Sequence, residues 1–213
     1  SSQQAALTAL ENIKSHTKLL HGITGSGKTN LYLTLAMNQF QKQQSSIILV
    51  PEISLTSQLV QQFQFYFPNS VITIHSKQTE ATRHQIWQYI AKSTDPLIII
   101  GPRSALFSPV SNLGLIIIDE AHDPAYYQDN PPRYSTLRLA SFIANTKNID
   151  CIYGTATPLI EDFYLAQKNH AYVSLSQKAK ETAITPDLHL IDLRDSSSFS
   201  KNRYFSDPLI KNI

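Results

Sequence analysis

A glycine-rich loop near the start of the chain has the residue types needed to bind a nucleoside triphosphate. Residues 22–29 read Gly-Ile-Thr-Gly-Ser-Gly-Lys-Thr. Glycines let backbone amides curl around phosphate oxygens, a lysine clamps the phosphates, and a following hydroxyl binds magnesium. A chance match is the alternative, but the loop lies between a predicted strand and a predicted helix. The predicted nucleotide-binding residues of this loop are Thr24, Gly25, Ser26, Gly27, Lys28 and Thr29.

An acidic motif, Asp119-Glu120-Ala121-His122, follows an apolar run. Two solvated carboxylates at a strand end are the alternative, but the apolar run buries the strand and leaves the acids at its tip, facing the phosphates. Asp119 would then hold magnesium together with Thr29, and Glu120 would orient or deprotonate the attacking water. His122 is either a local hydrogen-bonding residue or part of the coupling to neighbouring groups. The sequence therefore predicts Mg²⁺ and ATP, with Lys28, Asp119 and Glu120 catalytic.

Three more motifs follow predicted strands and carry hydroxyls or free backbone amides. Residues 154–158 read Gly-Thr-Ala-Thr-Pro, which predicts either a capped turn or a relay of the nucleotide state to a second ligand. Residues 51–56 and 101–107 suit the phosphates of a passing nucleic-acid strand, although ordinary helix caps explain each equally well. The residues assigned to contact or coupling from these motifs are Pro51, Thr56, Arg103, Ser104, Thr155 and Thr157.

An aromatic, proline-broken loop lies directly after the acidic motif. Its tyrosines and arginine can stack on unpaired bases, and packing of the loop onto its own domain is the alternative. The residues concerned are Tyr126, Tyr127, Arg133 and Tyr134. Trp87 and Cys151 are expected to be core residues.

Short apolar runs alternate with stretches of helical periodicity, which predicts an α/β fold with a parallel sheet and helices on both faces. In such sheets ligands bind at the carboxyl ends of the strands, where all these motifs fall. The predicted strands are 18–21, 47–50, 71–74, 97–100, 115–118 and 150–153, and the predicted helices are 29–41, 54–67, 79–92, 135–145 and 158–168. Residues 1–175 form the predicted domain. Residues 176–213, with one candidate strand over 188–193, are expected to be a linker.

The composition is that of an ordinary globular domain and argues against several classes of protein. The 213 residues are 42% hydrophobic and carry a net charge of +2, so any contact with DNA should be local. A single cysteine excludes internal disulfides and a multi-cysteine zinc site, which fits the cytoplasm. No run approaches the roughly 18 apolar residues of a membrane span, so no membrane partner is expected. Because the chain begins with Ser1-Ser2 rather than Met, we expect it to be a fragment.

The order of these motifs over about residues 3–168 resembles superfamily 2 helicases, and in particular the bacterial primosomal replication-restart helicases. The resemblance implies a RecA-like first lobe of an ATP-driven helicase that unwinds DNA from three-prime to five-prime at stalled forks. It implies single-stranded and forked DNA, replication-restart proteins and single-strand-binding protein as partners. It also implies that Gln3 reads adenine, with Gln4 as the alternative, and that the aromatic loop couples strand binding to hydrolysis.

The chain also departs from that family. It has Gly-Pro-Arg at 101–103 instead of Gly-Thr-Arg, and Ala121 where an acid is common; neither departure touches a group that does chemistry, so they concern DNA contact rather than ATP use. The family's second lobe, with its arginines, and its cysteine-rich zinc insertion are absent, so we expect little hydrolysis and zinc only in the absent part. A duplex translocase and a nucleotide-gated binding module remain alternative functions.

Overall fold

The computed structural model describes residues 2–23, 25–52, 58–175, 190–194, 196–202 and 204–212. Two of the predicted site residues, Thr24 and Thr56, lie outside these ranges. The chain divides into two compact units, Ser1–Glu181 and Thr182–Ile213.

The first unit is built on a parallel sheet. In the described residues its seven strands run in the order β3-β4-β2-β5-β8-β1-β9, and neighbouring strands are parallel. A separate two-stranded antiparallel ribbon joins β6 to β7. The strands are β1 Thr17–Gly22, β2 Ser45–Leu49, β3 Val71–Thr73, β4 Ile98–Gly101, β5 Leu113–Asp119, β6 Tyr127–Gln128, β7 Tyr134–Ser135, β8 Asp150–Thr155 and β9 Tyr172–Leu175.

Helices cover both faces of the sheet. Successive residues of a strand enter different cores: Leu20 and Ile48 pack with α1, α2 and α3, whereas Leu19 and Ile47 pack with α4, α5 and α6. This alternation explains the consecutive apolar residues of the central strands, as at positions 47–49 of β2 and 115–118 of β5. The fold class predicted from the sequence is confirmed. The helices of this unit are α1 Ser2–Asn12, α2 Lys28–Gln41, α3 Gln58–Tyr66, α4 Glu80–Lys92, α5 Thr136–Lys147 and α6 Ile160–Lys168.

Side-chain caps mark the beginnings of two helices. The Thr79 hydroxyl accepts a hydrogen bond from the backbone N–H of Thr82 at the start of α4, and Ser135 does the same for Arg138 at the start of α5. Short 3-10 helices at Arg103–Phe107 and Pro124–Tyr126 follow β4 and the acidic motif.

The prediction for Trp87 was wrong, because 52% of its surface is exposed. Helix α4 lies against the edge of the sheet and buries Ile90, so its other apolar residues remain near the surface. Cys151 is buried as expected. Within the described residues, no helix has the length and apolar character that crossing a membrane requires.

The second unit contains a 3-10 helix, Ser196–Phe199, and a short helix α7, Asp207–Asn212. Of the candidate strand over 188–193, the first two residues lie outside the described ranges. Residues 190–193 form no strand, and Leu190 and Leu193 are almost fully exposed.

Candidate nucleotide site and adjoining cleft

The glycine-rich loop turns sharply between β1 and α2. Gly25 and Gly27 have φ angles of 76° and 87°, a left-handed conformation that favours glycine. A Cβ atom on Gly22 would lie 2.6 Å from the Ser26 Oγ atom. The glycines therefore let the loop close tightly over the end of β1 and direct the first turn of α2 toward that edge of the sheet.

Two polar side chains of this loop can donate hydrogen bonds to phosphate oxygens. Lys28 is buried, and its ammonium donates a hydrogen bond to the Gly22 carbonyl over 2.7 Å, which leaves other N–H groups free to donate. The Ser26 hydroxyl is buried and has no hydrogen-bond partner in the part of the chain that the structure describes. A buried ammonium and hydroxyl at a helix N-terminus fit a bound triphosphate. Thr29 follows in the first turn of α2 and is half-buried.

The acidic motif reaches the same edge of the sheet, one strand away. Asp119 at the end of β5 is level with Gly154 of β8, and Gly154 is level with Leu20 of β1. Strand β8 therefore separates β1 from β5, although both end on the same side. Burial raises the pKa of Asp119, and the Glu120 charge raises it further, while a Tyr32 hydrogen bond and the Lys28 charge lower it. Tyr32, one helical turn after Lys28 on α2, donates to the Asp119 carboxylate, so the acid lies beside the first turns of the helix that carries the lysine.

Tyr32 is a site residue that the sequence prediction missed. It is fully buried, and its hydroxyl donates to Asp119 Oδ1 over 2.9 Å. Burial, followed by the Asp119 charge, keeps the pKa of Tyr32 well above its ordinary value, so the hydroxyl stays a donor. A Cβ atom on Gly154 would lie 1.7 Å from this hydroxyl, so glycine is needed there. The four-residue spacing from Lys28, which places both side chains on one helix face, was the available signal.

A chain of hydrogen bonds connects the acidic motif to the loop after β8. His122 Nδ1 lies 2.7 Å from Thr155 Oγ1 and 3.6 Å from Glu120 Oε2. The Thr155 hydroxyl also accepts from the backbone N–H of Thr157 over 3.1 Å. Glu120 has a φ of 47°, an unusual conformation for a non-glycine residue that is common at functional sites.

His21 was also missed, and it joins two further segments to the end of β1. Its Nε2 atom lies 3.0 Å from the carbonyl of Ala156, and its Nδ1 atom lies 2.8 Å from the Tyr172 hydroxyl. The loop after β8 is therefore held from both sides, by His122 and by His21.

A cleft of about 560 Å³ adjoins the acidic motif, beyond the ends of β2, β3 and β4. Five of the residues predicted to contact or couple nucleic acid line it: Pro51, Arg103, Ser104, Tyr126 and Tyr134. The chain thus brings three separated segments to one concave surface.

Within this cleft, Arg103 and Tyr126 have structural partners that sequence reasoning did not foresee. The Arg103 guanidinium donates through one nitrogen to the carbonyls of Ala125 and Tyr127, over 2.9 and 2.8 Å. Tyr126 is 1% exposed, and its hydroxyl donates to the Asp119 carbonyl over 2.6 Å. Its ring is therefore too buried to stack on a base, and it connects the cleft with the acidic motif instead.

The remaining predicted residues lie at the margins of these two sites. Tyr127 is 41% exposed, and Arg133 donates from Nε to the Asp129 carbonyl within its own loop. Gln3 is half-buried in α1, and Gln4 beside it is exposed.

Comparison with known proteins identifies the family. The model of the DEAD/DEAH box helicase family matches residues 1–163. The chain belongs to this family.

The chain is also similar to proteins named replication restart protein PriA, with 37% identity to that of Chlamydia pneumoniae, 40% to that of Chlamydia muridarum and 37% to that of Bacillus subtilis. These matches cover 99%, 96% and 92% of the chain and 29%, 27% and 24% of the relatives, so the chain spans about a quarter of their length. The resemblance to the replication-restart helicases is confirmed.

Solved helicase structures share the fold. The Pyrococcus furiosus Hef helicase domain superposes with a TM-score of 0.57 at 19% identity, covering 81% of this chain and 37% of that one. RecG, solved bound to a three-way DNA junction, gives a TM-score of 0.60 at 20% identity, covering 85% and 24%. At this level of identity the similarity supports the RecA-like architecture.

Proposed function

We propose that this chain is the ATP-binding lobe of a cytoplasmic DNA helicase that unwinds from three-prime to five-prime and acts in replication restart and primosome assembly. The observation that carries the proposal is that the glycine-rich loop and the acidic motif end neighbouring parts of one sheet edge, where Tyr32 of the helix that begins at Lys28 donates to Asp119. The direction of unwinding, forked DNA as substrate, and restart proteins and single-strand-binding protein as partners rest on the similarity to the restart proteins.

Each residue of the site has a role in this proposal that matches its surroundings. Lys28 and the amides of Gly25 to Lys28 hold the phosphates, while Thr29 and Asp119 supply oxygen ligands suited to magnesium. Bound magnesium would neutralise the phosphate charge. Glu120, beside Asp119 and less enclosed, orients the attacking water and accepts its proton. The Tyr32 hydroxyl fixes the Asp119 carboxylate.

Coupling between ATP and DNA runs through contacts at the acidic motif. Tyr126 lines the cleft and donates to the backbone of Asp119. His122 and Thr155 connect the neighbouring Glu120 to the loop after β8. A single strand bound in the cleft can therefore alter the position of the acids, and the nucleotide can alter the cleft.

Nucleotide binding tests the site directly. We expect Lys28→Ala to weaken binding of a fluorescent ATP analogue with magnesium by at least about 30-fold, because a lost charge-assisted hydrogen bond costs about 2 kcal/mol or more. Glu120→Gln should bind nearly as well as wild type, and the same change in the full-length protein should abolish hydrolysis. Equal affinities for wild type and Lys28→Ala would refute the phosphate site.

Strand separation distinguishes the helicase from a duplex translocase or a nucleotide-gated module. In a displacement assay on forked DNA, the full-length protein should release the labelled strand only with hydrolysable ATP. Movement along a duplex without strand release would favour the translocase.

A further inference from the structure

A second, apolar pocket lies beside the cleft, between α4 and the 3-10 helix at Arg103–Phe107. Its volume is about 220 Å³. Trp87 and Phe107, which are 52% and 53% exposed, form part of its wall. The remaining apolar lining comes from Ile74, Ile86 and Ile90.

The pocket and the cleft are continuous surfaces. Both are lined by Arg83, Ser104 and Phe107, so these three residues stand at the boundary between them. On the cleft side, the Phe107 ring meets the Tyr134 ring edge-on with centroids 5.6 Å apart. The exposed aromatic side chains therefore extend from the cleft into the pocket.

The chemistry of the pocket matches a nucleobase. Two partly exposed aromatic rings and three isoleucines offer a flat base an apolar, stacking environment. Arg83 is the charged residue among those that line the pocket, and its guanidinium suits the phosphate beside the base. The volume is below that of typical drug-sized ligand sites, which indicates a group of about one base.

We propose that this pocket binds one base of the single strand that lies in the cleft, with Trp87 stacking on the base and Arg83 contacting the adjoining phosphate. The proposal rests on the proposed function, because the strand reaches the pocket from the cleft. It assigns a role to Trp87 and explains why an aromatic side chain of α4 is left half-exposed.

Trp87 is the single tryptophan of the chain, so intrinsic fluorescence reports on this pocket. Binding of a labelled oligothymidine of about 16 nucleotides is followed by anisotropy while tryptophan emission is recorded. We expect saturable quenching with the same dissociation constant as the anisotropy. An oligonucleotide with abasic residues throughout should bind the cleft and leave the emission nearly unchanged.

Substitutions separate the pocket from the cleft. Trp87→Ala should weaken oligothymidine binding by roughly 5- to 150-fold, the effect of losing one stacked base, while Trp87→Phe retains most of the affinity. Phe142→Ala, which removes another exposed aromatic residue of a helix, should have no effect. Unchanged ATP-analogue binding by Trp87→Ala confirms that the variant is folded.

The outcomes distinguish the two proposals. If wild type binds oligothymidine but its emission does not change and Trp87→Ala binds equally well, the pocket proposal is overturned and the cleft proposal stands. If the abasic oligonucleotide quenches as strongly as oligothymidine, no base enters the pocket. If wild type does not bind oligothymidine in either nucleotide state, both proposals fail.

Discussion

At the scale of single residues, we expect the buried Asp119 carboxylate to lower the stability of the fold at neutral pH. Its pKa is raised, first by burial and then by Glu120, so the charged form is disfavoured in the folded protein. Because the folded protein holds this proton more tightly than the unfolded chain does, the carboxyl group favours folding when the pH is below its pKa in the unfolded chain. This contribution to the free energy of unfolding is lost as the pH rises through the pKa in the folded protein. We therefore expect Asp119→Asn to raise the melting temperature by a few degrees at neutral pH, with the gain disappearing toward acid pH.

Thermal unfolding of both proteins across pH checks this sign. Asp129→Asn removes an exposed carboxylate of the aromatic loop and serves as the control, for which we expect little change at any pH. A loss of stability in Asp119→Asn at neutral pH would mean that the acid stabilises the fold rather than the reaction.

The Tyr32 hydroxyl occupies the space that a side chain at Gly154 would need. Because a Cβ atom at position 154 would lie 1.7 Å from the Tyr32 hydroxyl, we expect Gly154→Ala to cost about 1–3 kcal/mol of stability. Combining it with Tyr32→Phe removes the closest atom, so the double variant should be less destabilised than the two single changes added together. Urea unfolding of the four proteins measures this coupling, and strict additivity would contradict it.

At the scale of elements, Arg103 holds the aromatic loop against the 3-10 helix that follows β4. One guanidinium nitrogen donates to two carbonyls of the loop, so Arg103→Ala should increase amide hydrogen exchange in residues 125–128 by about fivefold or more, since each lost bond is worth about 1 kcal/mol. Arg194→Ala, in the second unit and paired with Asp192, is the control and should leave this exchange unchanged. Unaltered exchange in Arg103→Ala would show that the loop is held by other contacts.

Some of the strands and helices could be predicted from the sequence, and others could not. Strands such as Leu113–Asp119 were predictable because helices cover both faces and demand apolar residues throughout. Strand β9 was missed because it lies at the sheet edge and alternates between buried and exposed residues over only four positions. Helix α1 was missed because its buried residues, Ala6, Leu7 and Leu10, form a weak pattern among polar ones.

For the site, the sequence predicted the groups that meet at the strand ends but not the bonds between them. The glycine loop and the acids were recognisable because their spacing is local. The donation from Tyr32 to Asp119 and the two bonds from Arg103 join residues 87, 22 and 24 positions apart, and no local pattern encodes such pairings.

At the scale of the whole molecule, the chain spans about a quarter of the restart proteins it resembles. Among the described residues, Lys28 is the cation of the glycine-rich loop, whereas Arg103 and Arg138 are engaged elsewhere, with the aromatic loop and Asp162. An arginine supplied by another domain accelerates phosphoryl transfer about a thousandfold or more. We therefore expect the 213-residue chain to bind ATP and to release phosphate at least about a thousandfold more slowly than the full-length protein with single-stranded DNA. Phosphate release with and without DNA measures both rates, and DNA-stimulated turnover of the chain at about 1 s⁻¹ or faster would show that this lobe needs no second source of positive charge.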